Sequence, residues 1–236
     1  MKELVERYWL YFLVGQYPTG PLGGLTLTLL LAAAGLLLAL PLGVLLGIAR
    51  LSAYRWLRWP VTAWVMTVRG TPLLMVVFWA YFFLPSVTGV RTNQFSTMLI
   101  ALVLFDGAYL AEIVRAGILG VPRGQAEAAR SLGLGGLGAL RFVVLPQALR
   151  NMLPSLVNQF ASSIKETSLG YIIGLQEVSL IASQINNLEL TKSLPIYLIL
   201  AATYFLLCFG LSRLAFGLER SLSVARVSRA AAVSTA

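Results

Sequence analysis

The chain has 236 residues, 58% of them hydrophobic and only 11% charged, with a net charge of +9. A soluble domain carries about a quarter charged residues, so this composition points to an integral membrane protein. Histidine is absent and cysteine occurs once, which excludes Ser-His-Asp triads, His-based zinc or haem sites, and any disulfide within the chain. In chain order, residues 8–17 are rich in aromatics but too short to span, and are expected at the membrane interface. Residues 22–49 carry no charge and follow a Pro18/Gly20/Pro21 break, and the run exceeds the roughly 20 residues that cross about 30 Å of hydrocarbon. It starts late and lacks a small-residue cleavage site after a short core, so it reads as a span and not a signal peptide.

Further spans are expected at 56–84, interrupted by Arg69, Gly70 and Pro72, and at 95–118, carrying Asp106 and Glu112. Two more are expected at 153–174, carrying Lys165 and Glu166, and at 194–214, holding Cys208. The fold expected is an all-α integral membrane protein of five transmembrane helices. Residues 1–18 are peripheral, 19–218 form the membrane domain with a cytoplasmic loop at about 119–152, and 219–236 form a disordered cytoplasmic tail.

Lysine and arginine give the orientation. Arg50, Arg55 and Arg58 follow the first span, Arg115, Arg123, Arg130, Arg141 and Arg150 separate the third from the fourth, and Arg213, Arg220, Arg226 and Arg229 follow the fifth. The opposite side holds only Lys2 and Arg7, then Arg91, then Lys192. The positive-inside bias therefore puts the N-terminus outside and the C-terminus in the cytoplasm. These arginines lie between apolar blocks with no basic helix or aromatic reader motif, so no nucleic-acid partner is expected.

Arg69, Asp106, Lys165 and Glu166 fall near one depth: Arg69 is roughly 14–20 Å in from Trp56–Pro60 and Asp106 roughly 16 Å from Phe95, at 1.5 Å per helical residue, with Lys165 and Glu166 a similar distance beyond Pro154. Charges in lipid are costly unless paired or wet, and these four sum to zero, which permits two internal pairs. Asn158, Ser162 and Lys165 follow i, i+4, i+7 spacing, and Gln159, Ser163 and Glu166 repeat it one residue on. The fourth span thus carries a polar stripe suited to a translocation pathway or a subunit interface. Structural pairing of Lys165 with Glu166 competes with direct contact to a passing solute. Arg69 has the alternative task of satisfying carbonyls freed near Pro72, the carbonyl of Val68 among them. Glu112 and Arg115, three apart, read as an ion pair on one helix surface. Ser162 and Lys165 share a face, but no Gly-rich oxyanion loop accompanies them, so a Ser/Lys protease dyad is not the reading.

The central loop, "GVPRGQAEAARSLGLGG" (120–136), places a small Ala-rich helix between two apolar blocks, with Gly133 as its C-cap. "ALRFVVLPQALRNMLP" follows as a second amphipathic segment punctuated by Pro146 and Pro154. On spacing alone this could be a hairpin that merely joins two spans, and Glu127 could serve only the helix N-terminus. The loop also resembles that of the permeases of binding-protein-dependent ABC importers: EAA, three residues, Gly, nine residues, then I-x-L-P. Glu127, Ala128, Ala129, Gly133, Leu145 and Pro146 stand at those spacings, with Val143 in place of Ile. "RGTPLL" (69–74), "YLAEIVRAGI" (109–118), "GQAEAARSLG" (124–133), "LPQALRNMLPSLVN" (145–158) and "KETSL" (165–169) resemble the polar-amino-acid permease branch, over residues 20–218.

That resemblance implies a type I ABC importer permease fold in the bacterial cytoplasmic (inner) membrane, with no catalysis in this chain. It implies a coupling helix in which Gln125, Glu127, Ala128, Ala129, Arg130, Gly133, Leu145 and Pro146 meet an ATPase groove. Its partners would be a second permease copy or a homologous permease, two ABC ATPase subunits, and an extracytoplasmic amino acid binding protein. The chain would bind no cofactor, ATP and Mg residing on the ATPase, in keeping with the lack of a P-loop here. The candidate pathway is Arg69, Asp106, Asn158, Ser162, Lys165 and Glu166, with a lean toward glutamate, aspartate or glutamine as solute. The alternative is an ATP-independent secondary transporter or channel, against which five spans without an inverted repeat argue.

Overall fold

The computed structural model describes residues 2–89 and 93–234, with side chains described over 3–89 and 93–221. Arg91, and the side chains of Lys2, Arg226 and Arg229, which entered the charge comparison, lie outside the described residues, as do most side chains of 219–236. The described residues form eleven α-helices and no strand. In order they are α1 (Lys2–Val14), α2 (Gly24–Ala49), α3 (Arg55–Gly70), α4 (Leu73–Phe78), α5 (Leu84–Thr88), α6 (Gln94–Leu119), α7 (Arg123–Ser131), α8 (Gly136–Ala139), α9 (Leu145–Glu166), α10 (Val178–Leu188) and α11 (Ser193–Ser234).

Proline explains the breaks. Pro72 forces Thr71 out of the helical region to φ −96°, ψ 134°, and Arg55–Gly70 meets Leu73–Thr88 at a bend of 103°. Thr71 itself satisfies the carbonyls freed there, its amide donating to Val68 at 3.2 Å and its hydroxyl to Thr67 at 2.8 Å. The expectation that Arg69 does this is corrected. Pro85 and Pro146 each lack the amide hydrogen that the helix preceding them needs. Their neighbours donate one residue further back, Leu84 to Trp79 and Leu145 to Leu140, giving single π-helical turns at Trp79–Phe83 and Leu140–Val144.

The central pair is α2 against α6. A Cβ on Gly47 would lie 2.8 Å from the Ala111 carbonyl oxygen and from the Val114 Cβ, so only glycine lets the two backbones approach this closely. In lipid the hydrophobic effect does not draw helices together, and such close packing holds the pair instead. Around it Leu31, Val77, Met98 and Leu102 are buried where α2, α4 and α6 meet. At the other end of the chain Leu4 joins Ile181, Ile185 and Ile196, seating α1 on α10 and α11. Val114, Val144, Ala148 and Met152 bind α6 to α9 and so position the loop between them.

Among the described residues three helices are long and apolar enough to cross a membrane, α2, α6 and α11 over Ser193–Ser221, and the number rises to four where the bent α3–α5 unit is counted as one span. The expected fourth, 153–174, does not meet that standard. Its helix begins earlier, at Leu145, and ends at Glu166, followed by a 3-10 turn over Thr167–Ile173. The polar residues that form its stripe are what deprive it of a uniformly apolar run.

Candidate functional site

Two carboxylates on α6 have different company. Asp106 is fully buried. Gln159 Nε2 donates to its Oδ1 at 2.8 Å and Ser163 Oγ to its Oδ2 at 2.6 Å, so α9 reaches across to α6 through neutral groups alone. Glu112 instead faces three guanidinium groups. Arg50, at the end of α2, binds Oε2, Arg69 Nη1 lies 3.7 Å from the same oxygen, and Arg115 Nε donates to Oε1 at 3.1 Å. The Arg69 guanidinium also sits 5.1 Å from the Tyr109 ring centroid, a cation–π contact. The Arg50 side chain is only 8% exposed, and its Nε is buried with no hydrogen-bond partner.

This arrangement corrects the expected balance of charges. The four ionisable groups read at one depth do not form two internal pairs. Arg69 goes to Glu112, because Val65, one turn before it on α3, packs against Ala108 and Ala111 of α6. Lys165 and Glu166 form no salt bridge: Lys165 is exposed, while Glu166 Oε2 is buried without a hydrogen-bond partner. Adjacent residues on a helix point about 100° apart, which is the physical reason adjacency did not produce a pair.

The polar stripe of α9 is real but divides in two. Gln159 and Ser163 are buried against Asp106, whereas Asn158 and Lys165 are exposed and Ser162 is half-buried. One face therefore closes a polar centre within the chain, and the neighbouring face stays open along the same helix.

The loop helix α7 ends as its glycine predicts. Gly133 has φ +86°, its amide donates to Arg130 at 2.9 Å, and the Leu134 amide donates to Ala129 at 3.1 Å. This is the Schellman pattern, in which the left-handed residue is almost always glycine. Gln125, Glu127, Ala128, Arg130, Gly133 and Pro146 are exposed, and Leu145 is half-buried. Ala129 is buried against its own chain, so a role for it in close approach to a partner is corrected: it seats α7 on the bundle. Gln147 Nε2 donates to Gln125 Oε1 at 3.2 Å, tying α7 to α9. Leu132, Leu137 and Phe142 are exposed beside this helix, Leu132 at 84%. Sequence reading passed over them because apolar residues are unremarkable in a chain of this composition.

A second buried carboxylate was also missed. Glu177 caps α10, its Oε1 accepting from the Leu180 amide at 2.9 Å and its Oε2 from the Tyr204 hydroxyl of α11 at 3.1 Å. Thr28 of α2 accepts from the Val178 amide at 3.1 Å, closing a clasp among three helices. Near it α1 is tied down by polar contacts. Tyr8 donates to Glu189 at 3.1 Å, Arg7 and Lys192 each lie 3.3 Å from that carboxylate, and Tyr11 donates to Gln184 at 2.6 Å. The Tyr8 hydroxyl, and then Lys192, hold the Glu189 carboxyl below its usual range.

Residues 39–224 match the model of the family described as "Binding-protein-dependent transport system inner membrane component". The chain is 36% identical over 227 residues to the inner membrane amino-acid ABC transporter permease protein YhdY of Escherichia coli (strain K12), covering 93% of this chain and 62% of that protein. It therefore spans less than two thirds of that relative's length. It is 37% identical to the probable glutamine ABC transporter permease protein GlnP of Bacillus subtilis (strain 168), covering 83% of this chain and 90% of that one. With the L-cystine transport system permease protein TcyB of the same organism it shares 38% identity over 93% of this chain and 90% of that one. Among solved structures, a chain of an amino acid ABC transporter crystallised with histidines superposes with a TM-score of 0.77 at 33% identity, over 84% of this chain and 92% of that chain.

Proposed function

This chain belongs to the binding-protein-dependent transport system inner membrane component family, and from that premise we propose that it is the permease subunit of an ABC importer for a polar amino acid. The observation that carries the proposal is the α7 segment. It is a short helix tied to the bundle by Gln147 and the buried Ala129, ended by a left-handed Gly133, and bordered by apolar side chains that are exposed among the described residues. An exposed apolar patch rimmed by charge is a protein-docking surface. Glu127 and Arg130 would fix orientation on the ATPase, and Leu132 and Leu137 would fill its groove.

The ATPase subunits supply ATP hydrolysis with its Mg, a second permease copy or homologous permease completes the pathway, and an extracytoplasmic binding protein delivers the solute. The chain crosses the inner membrane five times, α9 making the crossing that apolarity alone does not identify, with the N-terminus outside. The open face of α9, Asn158, Ser162 and Lys165, lines the pathway, backed by Asp106 and Glu166. Arg69 serves the Glu112 cluster and not the pathway. The relatives named above differ in solute, so glutamate, aspartate or glutamine remains a lean from sequence.

The test is uptake by proteoliposomes holding the permease, its ATPase and its binding protein, with a panel of labelled amino acids. Uptake that requires internal ATP and selects one amino acid supports the reading and names the solute. Solute movement by the permease alone, indifferent to ATP, would establish the secondary-transporter alternative.

A further inference from the structure

The first turn of α3 is an unpartnered patch of aromatic and basic side chains. Tyr54, Trp56 and Trp59 are 66%, 75% and 63% exposed. Arg55 and Arg58 are exposed between them, and neither forms a salt bridge among the described residues. The patch follows the end of the apolar helix α2 after a short turn, which places it where the hydrocarbon ends. Trp and Tyr favour that level, because each ring has an apolar body and one polar atom.

What lies further along the same helix identifies the occupant. Trp59, Ala63 and Met66 follow i, i+4, i+7 spacing, so they form one face. With Arg58 and Thr62 they line an open groove of about 470 Å³. The groove is basic at one end and apolar at the other, and α3 is bent by 103° from the helices after it. With its basic end at the headgroup level, its apolar end lies toward the acyl region along one helix face. We propose that this groove is a binding site for an anionic phospholipid, the phosphate meeting Arg55 and Arg58 and an acyl chain lying along Trp59, Ala63 and Met66. Charge complementarity supports lipid on the cytoplasmic side, whose surface is negative and attracts basic segments. A continuous apolar extension into the bilayer is what an acidic protein partner would not need. The proposal rests on the chain spanning a membrane, and is independent of what it transports.

The test uses the full chain in vesicles, every protein in it, the wild type included, carrying W9F, W64F and W79F so that only Trp56 and Trp59 emit. Quenching by brominated phosphatidylglycerol is compared with quenching by brominated phosphatidylcholine. An arginine beside an anionic surface is worth a factor of about five in binding, so the wild type should show a preference for the anionic quencher of that order or more. R55Q/R58Q should abolish the preference, and W56F/W59F should remove the emission that reports it while R55Q/R58Q retains that emission. Equal quenching by the two lipids in the wild type would overturn the proposal, as would a preference that survives R55Q/R58Q. So would emission that responds to the ATPase subunits and not to lipid composition, which would make the patch a protein contact.

Discussion

Asp106 and Glu112 stand under two turns apart on α6, and their surroundings assign them opposite work. Glu112 is met by Arg50, Arg69 and Arg115, which join α2, α3 and α6. Among the described residues, Asp106 accepts hydrogen bonds from the amide of Gln159 and the hydroxyl of Ser163 and is met by no guanidinium group. A carboxylate surrounded by guanidinium groups is a fastener, since its charge is neutralised several times over. A buried carboxylate held by neutral donors has no cation fastened to it, which is what the pathway role proposed for it requires.

The comparison breaks first at Glu112. Glu112→Gln leaves Arg50 largely buried beside two other guanidinium groups, and removing one partner of such a group costs about 3 kcal/mol. The melting temperature of the purified protein in detergent should fall sharply, and an unchanged melting temperature would show that Glu112 fastens nothing. Asp106→Ala should cost less, about 2 kcal/mol, for leaving Gln159 and Ser163 unsatisfied. Denaturation of both variants in the same detergent gives their order, and a larger loss at Asp106 would reverse the assignment.

A smaller effect on stability separates the loop from both. Gly133→Asp places a side chain at φ +86° and costs about 1 kcal/mol locally, yet it should lower coupled uptake roughly tenfold, the kinetic equivalent of about 1.4 kcal/mol. Glu127→Lys should reduce uptake with no loss of stability. Normal transport by both variants would remove α7 from the coupling route. Gly133→Asn tolerates the left-handed conformation better than other residues, and retention of uptake there would place the defect in backbone geometry.

The smallest effect is at α1. The Glu189 carboxyl is held below its usual range by Tyr8 and Lys192, so the anchoring it contributes is present above the ordinary carboxylate pKa of about 4.3 and is lost as pH falls through the lower folded value. Hydrogen exchange of residues 3–14 should be constant from neutral pH to about pH 5, after correction for intrinsic rates, and should rise only at greater acidity. Faster exchange on raising the pH would contradict the sign.

What the sequence disclosed of this follows the range of the interactions. The Glu112–Arg115 pair is local, and its i, i+3 spacing announced it. Arg50 and Arg69 join it from other helices, Arg69 through the packing of Val65 on Ala108 and Ala111, so spacing along the chain could not predict the cluster. The polar stripe of α9 was legible as a period, but which of its two faces turned inward depended on Asp106 of another helix. Gly133 was legible because a left-handed turn requires a residue type, whereas Glu177 was not, because its side-chain partner Tyr204 lies on another helix, 27 residues along the chain.

The most direct measurement is the initial rate of ATP-driven uptake by D106N and E112Q in proteoliposomes, with thermal stability recorded on the same preparations. The side-chain amide in D106N is the size of the carboxylate and keeps an oxygen acceptor for Gln159 or Ser163. D106N should therefore melt close to the wild type while uptake falls at least about tenfold. E112Q should lose stability first, with uptake declining only in proportion to the folded fraction. Wild-type uptake by D106N, or loss of uptake by an E112Q protein that melts normally, would contradict the division between pathway and fastener.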